Sequence, residues 1–114
     1  MREPTKNKGR LIHILDSVNN IYEFVEGLEP QQIMVDKVRY FAIVYQLVVI
    51  GEAANLLTSE FRASHSQTPW REIINMRNFI VHGYNIVNKE EVLSVIQNDL
   101  PTLKAQIEEY LRES

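Results

Sequence analysis

Apolar residues recur every three or four positions along most of this chain, which is the spacing of amphipathic helices. The pattern predicts four helices, which span residues 10–28, 31 (or 36) to 61, 69–82 and 88–111. In the second, the segment Tyr40–Ile50 is apolar on nearly every face, as in a helix that is covered on several sides. Its β-branched residues would also suit a strand, but the flanking periodicity and the length favour a helix. Short connections between four amphipathic helices predict an all-α, antiparallel four-helix bundle.

Local signals place the ends of these helices. The Glu29-Pro30 step ends the first helix, because a residue before proline is pushed out of helical geometry. Thr68 as N-cap and Pro69 at the first helical position begin the third helix, and Gly83 ends it. These capping and helix-ending residues therefore support the boundaries that the apolar spacing predicts.

The last helix has a capped start and an internal proline. Asn88 followed by Glu91 resembles a capping box. Pro101 falls inside the apolar pattern, where a proline removes one backbone hydrogen bond and bends the helix axis. We therefore expect a kink near Asp99 to Thr102.

Composition is that of an ordinary globular protein. The chain has 114 residues, 45% of them hydrophobic and 24% charged, which predicts one helical domain over residues 1–114. Residues 1–9 are polar and basic, and we expect them to form a flexible arm. The absence of cysteine excludes disulfides and thiolate chemistry and is compatible with a reducing cytosol. Neither a signal peptide nor an apolar run long enough for a membrane span is present, so a cytoplasmic location is expected.

Charge limits the class of nucleic-acid interaction. The formal net charge of −3 argues against a general nucleic-acid binder, since neutralisation of phosphates drives that affinity. Basic residues are nevertheless concentrated in residues 1–10 and 62–88. A small local site for RNA is compatible with this distribution, whereas a long basic groove is not.

The run from Met76 to Tyr84 sets four functional side chains inside an apolar helical pattern. Arg77 can hold a phosphate through a planar fork of donors, and His82 can transfer a proton near neutral pH. Asn78 is four residues from His82 and shares its helix face, whereas Arg77 and His82 project about 140° apart on an ideal helix. Spacing alone leaves open that Arg77 forms an ion pair with Glu72 or Glu52 and that His82 caps the helix.

The sequence Arg77-Asn78-x-x-x-His82-x-Tyr84 resembles the signature of the HepT-like toxins, ribonucleases of the HEPN superfamily. Three further stretches agree with that family: Asp36–Tyr40, Ile50–Ala53 and Pro69-Trp70. The resemblance extends from about Leu11 to Tyr110. It implies a homodimer, in which the motifs of two protomers converge in one composite cleft, and an endoribonuclease that needs neither a metal nor a cofactor.

The resemblance also assigns roles to the motif. His82 is expected to act as general base on a ribose 2′-hydroxyl, and Arg77 to hold the phosphate. Asn78 is expected to orient His82 or to donate to the phosphate. The phenol of Tyr84 is the implied acceptor of an adenylyl group from a partner nucleotidyltransferase antitoxin; without the resemblance, Tyr84 would be a packing residue.

Other polar residues have structural explanations. Glu52 lies in an apolar neighbourhood beside Gly51, and we expect a supporting salt bridge, with Arg77 as a candidate partner. Trp70 is expected to anchor the third helix, and neither His13 nor His65 has partners at metal-ligand spacing. The alternative function is a non-catalytic HEPN module that binds a nucleotide or partner within a nucleotidyltransferase complex.

Overall fold

A computed structural model of the chain describes residues 3–82 and 88–113, with the side chains of 6–81 and 88–113. These residues are helical almost throughout, and the described ranges contain no strand, which confirms the all-α prediction. None of their helices is long and apolar enough to cross a membrane. The α-helices are α1 (Glu3–Val25), α2 (Pro30–Val35), α3 (Lys37–Leu56), α4 (Ser59–Ser64), α5 (Trp70–His82), α6 (Lys89–Ser94) and α7 (Leu100–Glu113), and a π-helical turn, Val95–Asp99, joins α6 to α7.

Helix α3 is the centre of the bundle. It packs against α1 on one side and against α5 on another, and α7 covers α1. Its inward face follows the three- and four-residue spacing that the sequence predicts. The buried residues of that face are Tyr40, Ile43, Leu47, Ile50, Gly51, Ala53 and Ala54.

Helix α1 begins at Glu3, within the segment that the sequence analysis assigned to a flexible arm. The side chain of Asn7 is buried and forms two hydrogen bonds with Thr58, two residues beyond the C-terminal end of α3. Its amide nitrogen donates to Thr58 Oγ1 at 3.1 Å, and its amide oxygen accepts from the Thr58 backbone N–H at 3.1 Å. This contact ties the first turns of α1 to the bundle.

The predicted second helix is divided into α2, α3 and α4, because two polar side chains start new helices inside it. Asp36 caps α3 by accepting from the Arg39 backbone N–H at 3.0 Å. Thr58 caps α4 by accepting from the Phe61 N–H at 3.1 Å. Asp and Thr compete for backbone donors in this way and so favour helix starts over helix interiors.

The start of α5 also differs from the prediction. Thr68 was expected to cap α5, but its buried hydroxyl donates to Gln106 Oε1 at 2.7 Å and lies 2.6 Å from Tyr110 Oη. Because the Thr68 hydroxyl donates to Gln106, the Tyr110 hydroxyl is the donor to Thr68 Oγ1. Burial raises the pKa of Tyr110, which favours the protonated phenol that this hydrogen bond requires. Trp70 is buried, as expected, and its indole N–H donates to the carbonyl of His65 at 3.0 Å. The Gly83 helix stop lies outside the described residues.

Pro101 distorts the last helix one turn earlier than predicted. Asn88 caps α6 by accepting from the backbone N–H groups of Glu90 and Glu91, as its position in the sequence indicates. The π-helical turn Val95–Asp99 then precedes Pro101. A proline cannot donate to the carbonyl four residues before it and crowds that carbonyl, and a π-helical turn accommodates both effects.

Candidate functional site

The candidate site begins with the close approach of α3 and α5 at Gly51. A Cβ atom at Gly51 would overlap the Cβ of Arg77 and would lie 2.9 Å from its Cγ and 3.2 Å from the carbonyl oxygen of Ile73. Only a residue without a side chain lets the two helices meet at this distance. Gly51 therefore fixes where the Arg77 side chain leaves α5.

Glu52 follows Gly51 and receives the Arg77 guanidinium. Glu52 Oε1 accepts from Arg77 Nε at 2.9 Å and from Arg77 Nη2 at 2.5 Å. The ion pair that the sequence analysis considered for Glu52 is thus present, and it joins α3 to α5. The side chains are 26% exposed for Arg77 and 47% for Glu52, so solvent screens the pair. Its main physical effect is orientation of the guanidinium.

Asn78 holds the other end of the guanidinium. Its amide oxygen accepts from Arg77 Nη1 at 2.8 Å. An arginine side chain has five N–H groups, and the contacts with Glu52 and Asn78 use three of them. Among the described residues these contacts therefore leave one N–H on each terminal nitrogen, which is the number that a bidentate contact with a phosphate requires.

His82 and Tyr84 complete the motif at the C-terminal end of α5 and beyond it. His82 is the last residue of α5, and its side chain lies outside the described part of the chain. Tyr84 lies outside it entirely. Because α5 is continuous from Trp70 to His82, the separation of about 140° between Arg77 and His82 around an ideal helix axis applies to its backbone.

An exposed apolar stripe runs along α3 beside the site. Val38, Phe41 and Tyr45 are 82%, 62% and 64% exposed, and Leu56 is exposed on the same line. Their spacing of three, four and eleven residues places them on one face of the helix, and Glu52 falls between Tyr45 and Leu56 on that face. These four residues, which we call the α3 stripe, lie opposite the buried face of the helix. In the sequence, the stripe is indicated by apolar residues on nearly every face of α3.

The remaining histidines lie elsewhere. His13 is exposed on α1. His65 stacks on Phe61 with ring centroids 3.9 Å apart, and its Nδ1 lies 2.8 Å from the Phe61 carbonyl oxygen. His65 therefore belongs to the aromatic cluster that packs α4 against Tyr110, away from Arg77.

Comparison with known proteins gives a consistent result. A family model described as "Ribonuclease HepT-like" matches residues 14–110. A "Putative RNase" of Caldanaerobacter subterraneus subsp. tengcongensis is 37% identical over 103 residues, which cover 90% of this chain and 92% of the relative. The "Probable ribonuclease HepT" of Thermococcus cleftensis is 30% identical over 102 residues, which cover 90% of this chain and 93% of the relative. A "Putative RNase" of Methanocaldococcus jannaschii is 28% identical over 101 residues, covering 89% and 93%. No solved structure matches the chain.

The tight contact at Gly51 predicts that Gly51→Ala disturbs both stability and the site. The added methyl group must push Arg77 away from α3, and overpacking of this kind costs about 1–3 kcal/mol of unfolding free energy. Gly9→Ala is the matched control, because Gly9 also lies in a helix but has open space around it. This variant should raise the free energy of unfolding by about 0.5–1 kcal/mol. Denaturant unfolding measures both variants. A Gly51→Ala protein as stable as the wild type would show that the α3–α5 contact does not constrain Arg77.

Proposed function

This chain belongs to the HepT-like ribonuclease family, and from that premise we propose that it is the toxin of a toxin–antitoxin pair. In this proposal it is a metal-independent endoribonuclease whose catalytic residues are Arg77 and His82. The reaction takes place in a composite cleft of a homodimer. A partner nucleotidyltransferase antitoxin inactivates the toxin by adenylylation of Tyr84.

The oriented guanidinium of Arg77 is the observation that carries the proposal. Glu52 and Asn78 hold it from both ends, and the contacts within the described part of the chain leave two N–H groups for a phosphate. A fixed pair of donors costs little reorganisation when charge builds on a phosphoryl oxygen in the transition state. A surface arginine with no such supports would lose more conformational entropy on binding.

The proposed reaction uses a nucleophile within the RNA. His82 removes the proton of a ribose 2′-hydroxyl, and the oxygen attacks the adjacent phosphorus while the bond to the 5′-oxygen breaks. His82 of the second protomer protonates that leaving oxygen. The products are a 2′,3′-cyclic phosphate and a 5′-hydroxyl end, and neither water nor a metal takes part in this step. DNA lacks the hydroxyl and would not be cleaved.

The α3 stripe supports the homodimer. Exposed aliphatic and aromatic side chains that lie in one line on a helix mark an interaction surface. Because Glu52 lies on this face, a twofold contact through the stripe would bring the two Glu52–Arg77 pairs close together. Such a contact also supplies what one protomer lacks, since Arg77 and His82 of the same helix diverge by about 140°.

The alternative, a binding module without catalysis, rests on the charge of the same pair. Glu52 neutralises Arg77, so the phosphate affinity of the site is lower than that of a free arginine. In that case Arg77 and Asn78 recognise a nucleotide or a partner protein without proton transfer by His82. Measurement of cleavage separates the two functions.

We predict that Arg77→Ala and His82→Ala each lower RNA cleavage by about 10²–10⁴-fold or more, because each removes a group that acts in the transition state. The measurement is cleavage of single-stranded RNA by purified protein in excess chelator, with mass analysis of the ends. Arg112→Ala on α7 and His13→Ala on α1 are matched controls at exposed positions and should keep full activity. Wild-type activity in either site variant would refute the assignment, and loss of wild-type cleavage in chelator would indicate a metal mechanism.

A composite site predicts complementation between inactive proteins. Arg77→Ala and His82→Ala proteins, mixed and allowed to exchange protomers, should regain part of the activity, since a mixed dimer retains one arginine and one histidine. Tyr45→Lys places a charge in the α3 stripe and should give a monomer without cleavage activity. Sedimentation measures the mass. A wild-type protein that is monomeric at micromolar concentration would contradict the dimer.

Adenylylation of Tyr84 should silence the enzyme. The added AMP carries a phosphodiester charge and an adenosine to within two residues of His82, where an RNA phosphate must approach Arg77, so both repulsion and bulk oppose the substrate. Tyr84→Phe should remain active and escape the antitoxin, whereas Tyr45→Phe should still be modified. Intact-mass analysis after co-expression with a cognate nucleotidyltransferase measures the adduct. An adduct on another residue, or normal neutralisation of Tyr84→Phe, would disprove this regulation.

A further inference from the structure

A groove that the proposed chemistry does not use separates α5 from α7. Its main part is a cleft of about 340 Å³, with Leu47 and Ile50 of α3 at the floor, Ile73 and Met76 of α5 on one wall and Leu103 of α7 on the other. A smaller hollow of about 60 Å³ beside Ile80 and Val92 continues it and shares Leu47, Met76 and Val95 with it. We call the two together the α5–α7 groove.

The groove has the length of a short helix. Along α5 and the residue before it, the lining extends from Pro69 to Ile80. At a rise of about 1.5 Å per residue this distance is about 16 Å, or three helical turns. An amphipathic helix that presents residues three and four apart could place one apolar side chain per turn in such a groove.

All charged residues that line the groove are acidic. Glu72 of α5 and Asp99 before α7 border the main cleft, and Glu91 of α6 borders the hollow. All three are exposed, and no lysine or arginine of the described residues lines either part. An acidic rim around an apolar floor repels RNA and attracts a cationic, amphipathic occupant.

The groove lies beside the motif on α5. On an ideal helix Met76, at the groove, is about 160° from Asn78 and about 120° from His82, whereas Ile73 on the same wall is about 40° from Arg77. Neither Arg77 nor Asn78 lines the groove. An occupant would therefore contact residues other than the Arg77, Asn78 and Glu52 side chains of the proposed substrate site.

We propose that the α5–α7 groove docks a positively charged amphipathic helix of a partner polypeptide. Aliphatic side chains of that helix would contact Ile73, Met76 and Leu103, and its lysines or arginines would pair with Glu72 and Asp99. The apolar floor, the three-turn length and the single sign of the rim charges together specify this occupant.

The test uses two fluorescein-labelled helical peptides of about 14 residues, with leucines at three- and four-residue intervals on one face. One carries lysines beside the leucines, and the other carries glutamates in their place. Fluorescence anisotropy measures the binding of each peptide to the full chain. The buffer contains about 0.1 M salt, because this concentration screens long-range attraction between exposed charges. The Glu72→Lys/Asp99→Lys variant reverses the rim. Asp16→Lys/Glu23→Lys is the matched control, because it makes the same change in net charge at exposed positions of α1.

The lysine peptide should bind the wild type and the α1 control equally, and its affinity for the rim variant should fall by about tenfold or more. The glutamate peptide should bind the rim variant more tightly than the wild type. Thr102→Trp fills the mouth of the cleft from an exposed position and should weaken both peptides. The proposal is overturned if the wild type binds neither peptide, or if the rim and control variants lose equal affinity. Arg77 and His82 are intact in every variant, so RNA cleavage tests the proposed function separately.

Discussion

The geometry of the candidate site depends on the contact between α3 and α5 at Gly51. The missing side chain lets the Cβ of Arg77 lie against the backbone of α3, and the guanidinium then reaches Glu52, the next residue along α3. Glu52 lowers the attraction between Arg77 and an anion, but it removes the conformational freedom of a long side chain. Since both groups remain partly exposed, the pair is formed without the desolvation penalty of a buried one. The result is a guanidinium with a fixed direction and two N–H groups to which no described residue bonds.

Helix α3 uses two opposite faces. Ile43, Leu47 and Ile50 are buried in the bundle, whereas Phe41 and Tyr45 are exposed on the other side. More apolar surface is therefore present on α3 than the chain buries on folding, and the excess lies in line with Glu52. In the proposed homodimer, stability and site assembly would be linked, because the surface that forms the contact also carries the residue that orients Arg77.

The sequence predicted what depends on local patterns and missed what depends on distant contacts. Periodicity and caps predicted the all-α class and the Asn88 cap, and the motif with its family resemblance indicated the ribonuclease family. The contact between Thr58 and Asn7 joins residues 51 positions apart, and the role of Thr68 depends on Tyr110, 42 residues later. At the site, an apolar setting indicated a partner for Glu52, but the number of free donors on Arg77 follows from the close helix approach and from the rotamer of Asn78. Neither has a local signal in the sequence.

Helix α5 contributes residues both to the candidate site and to the groove. It is short, and neighbouring residues along it contact different parts of the structure. In 13 residues it presents Arg77 to α3, Met76 to the groove, and Asn78 to solvent. Coupling between two sites requires an element whose position both ligands affect. A displacement of α5 away from α3 would lengthen the contact between Arg77 and Glu52. An occupant that braces α5 from the groove side opposes this displacement. A ligand of the groove and a phosphate at Arg77 would therefore favour the same position of α5, although they contact different residues of it.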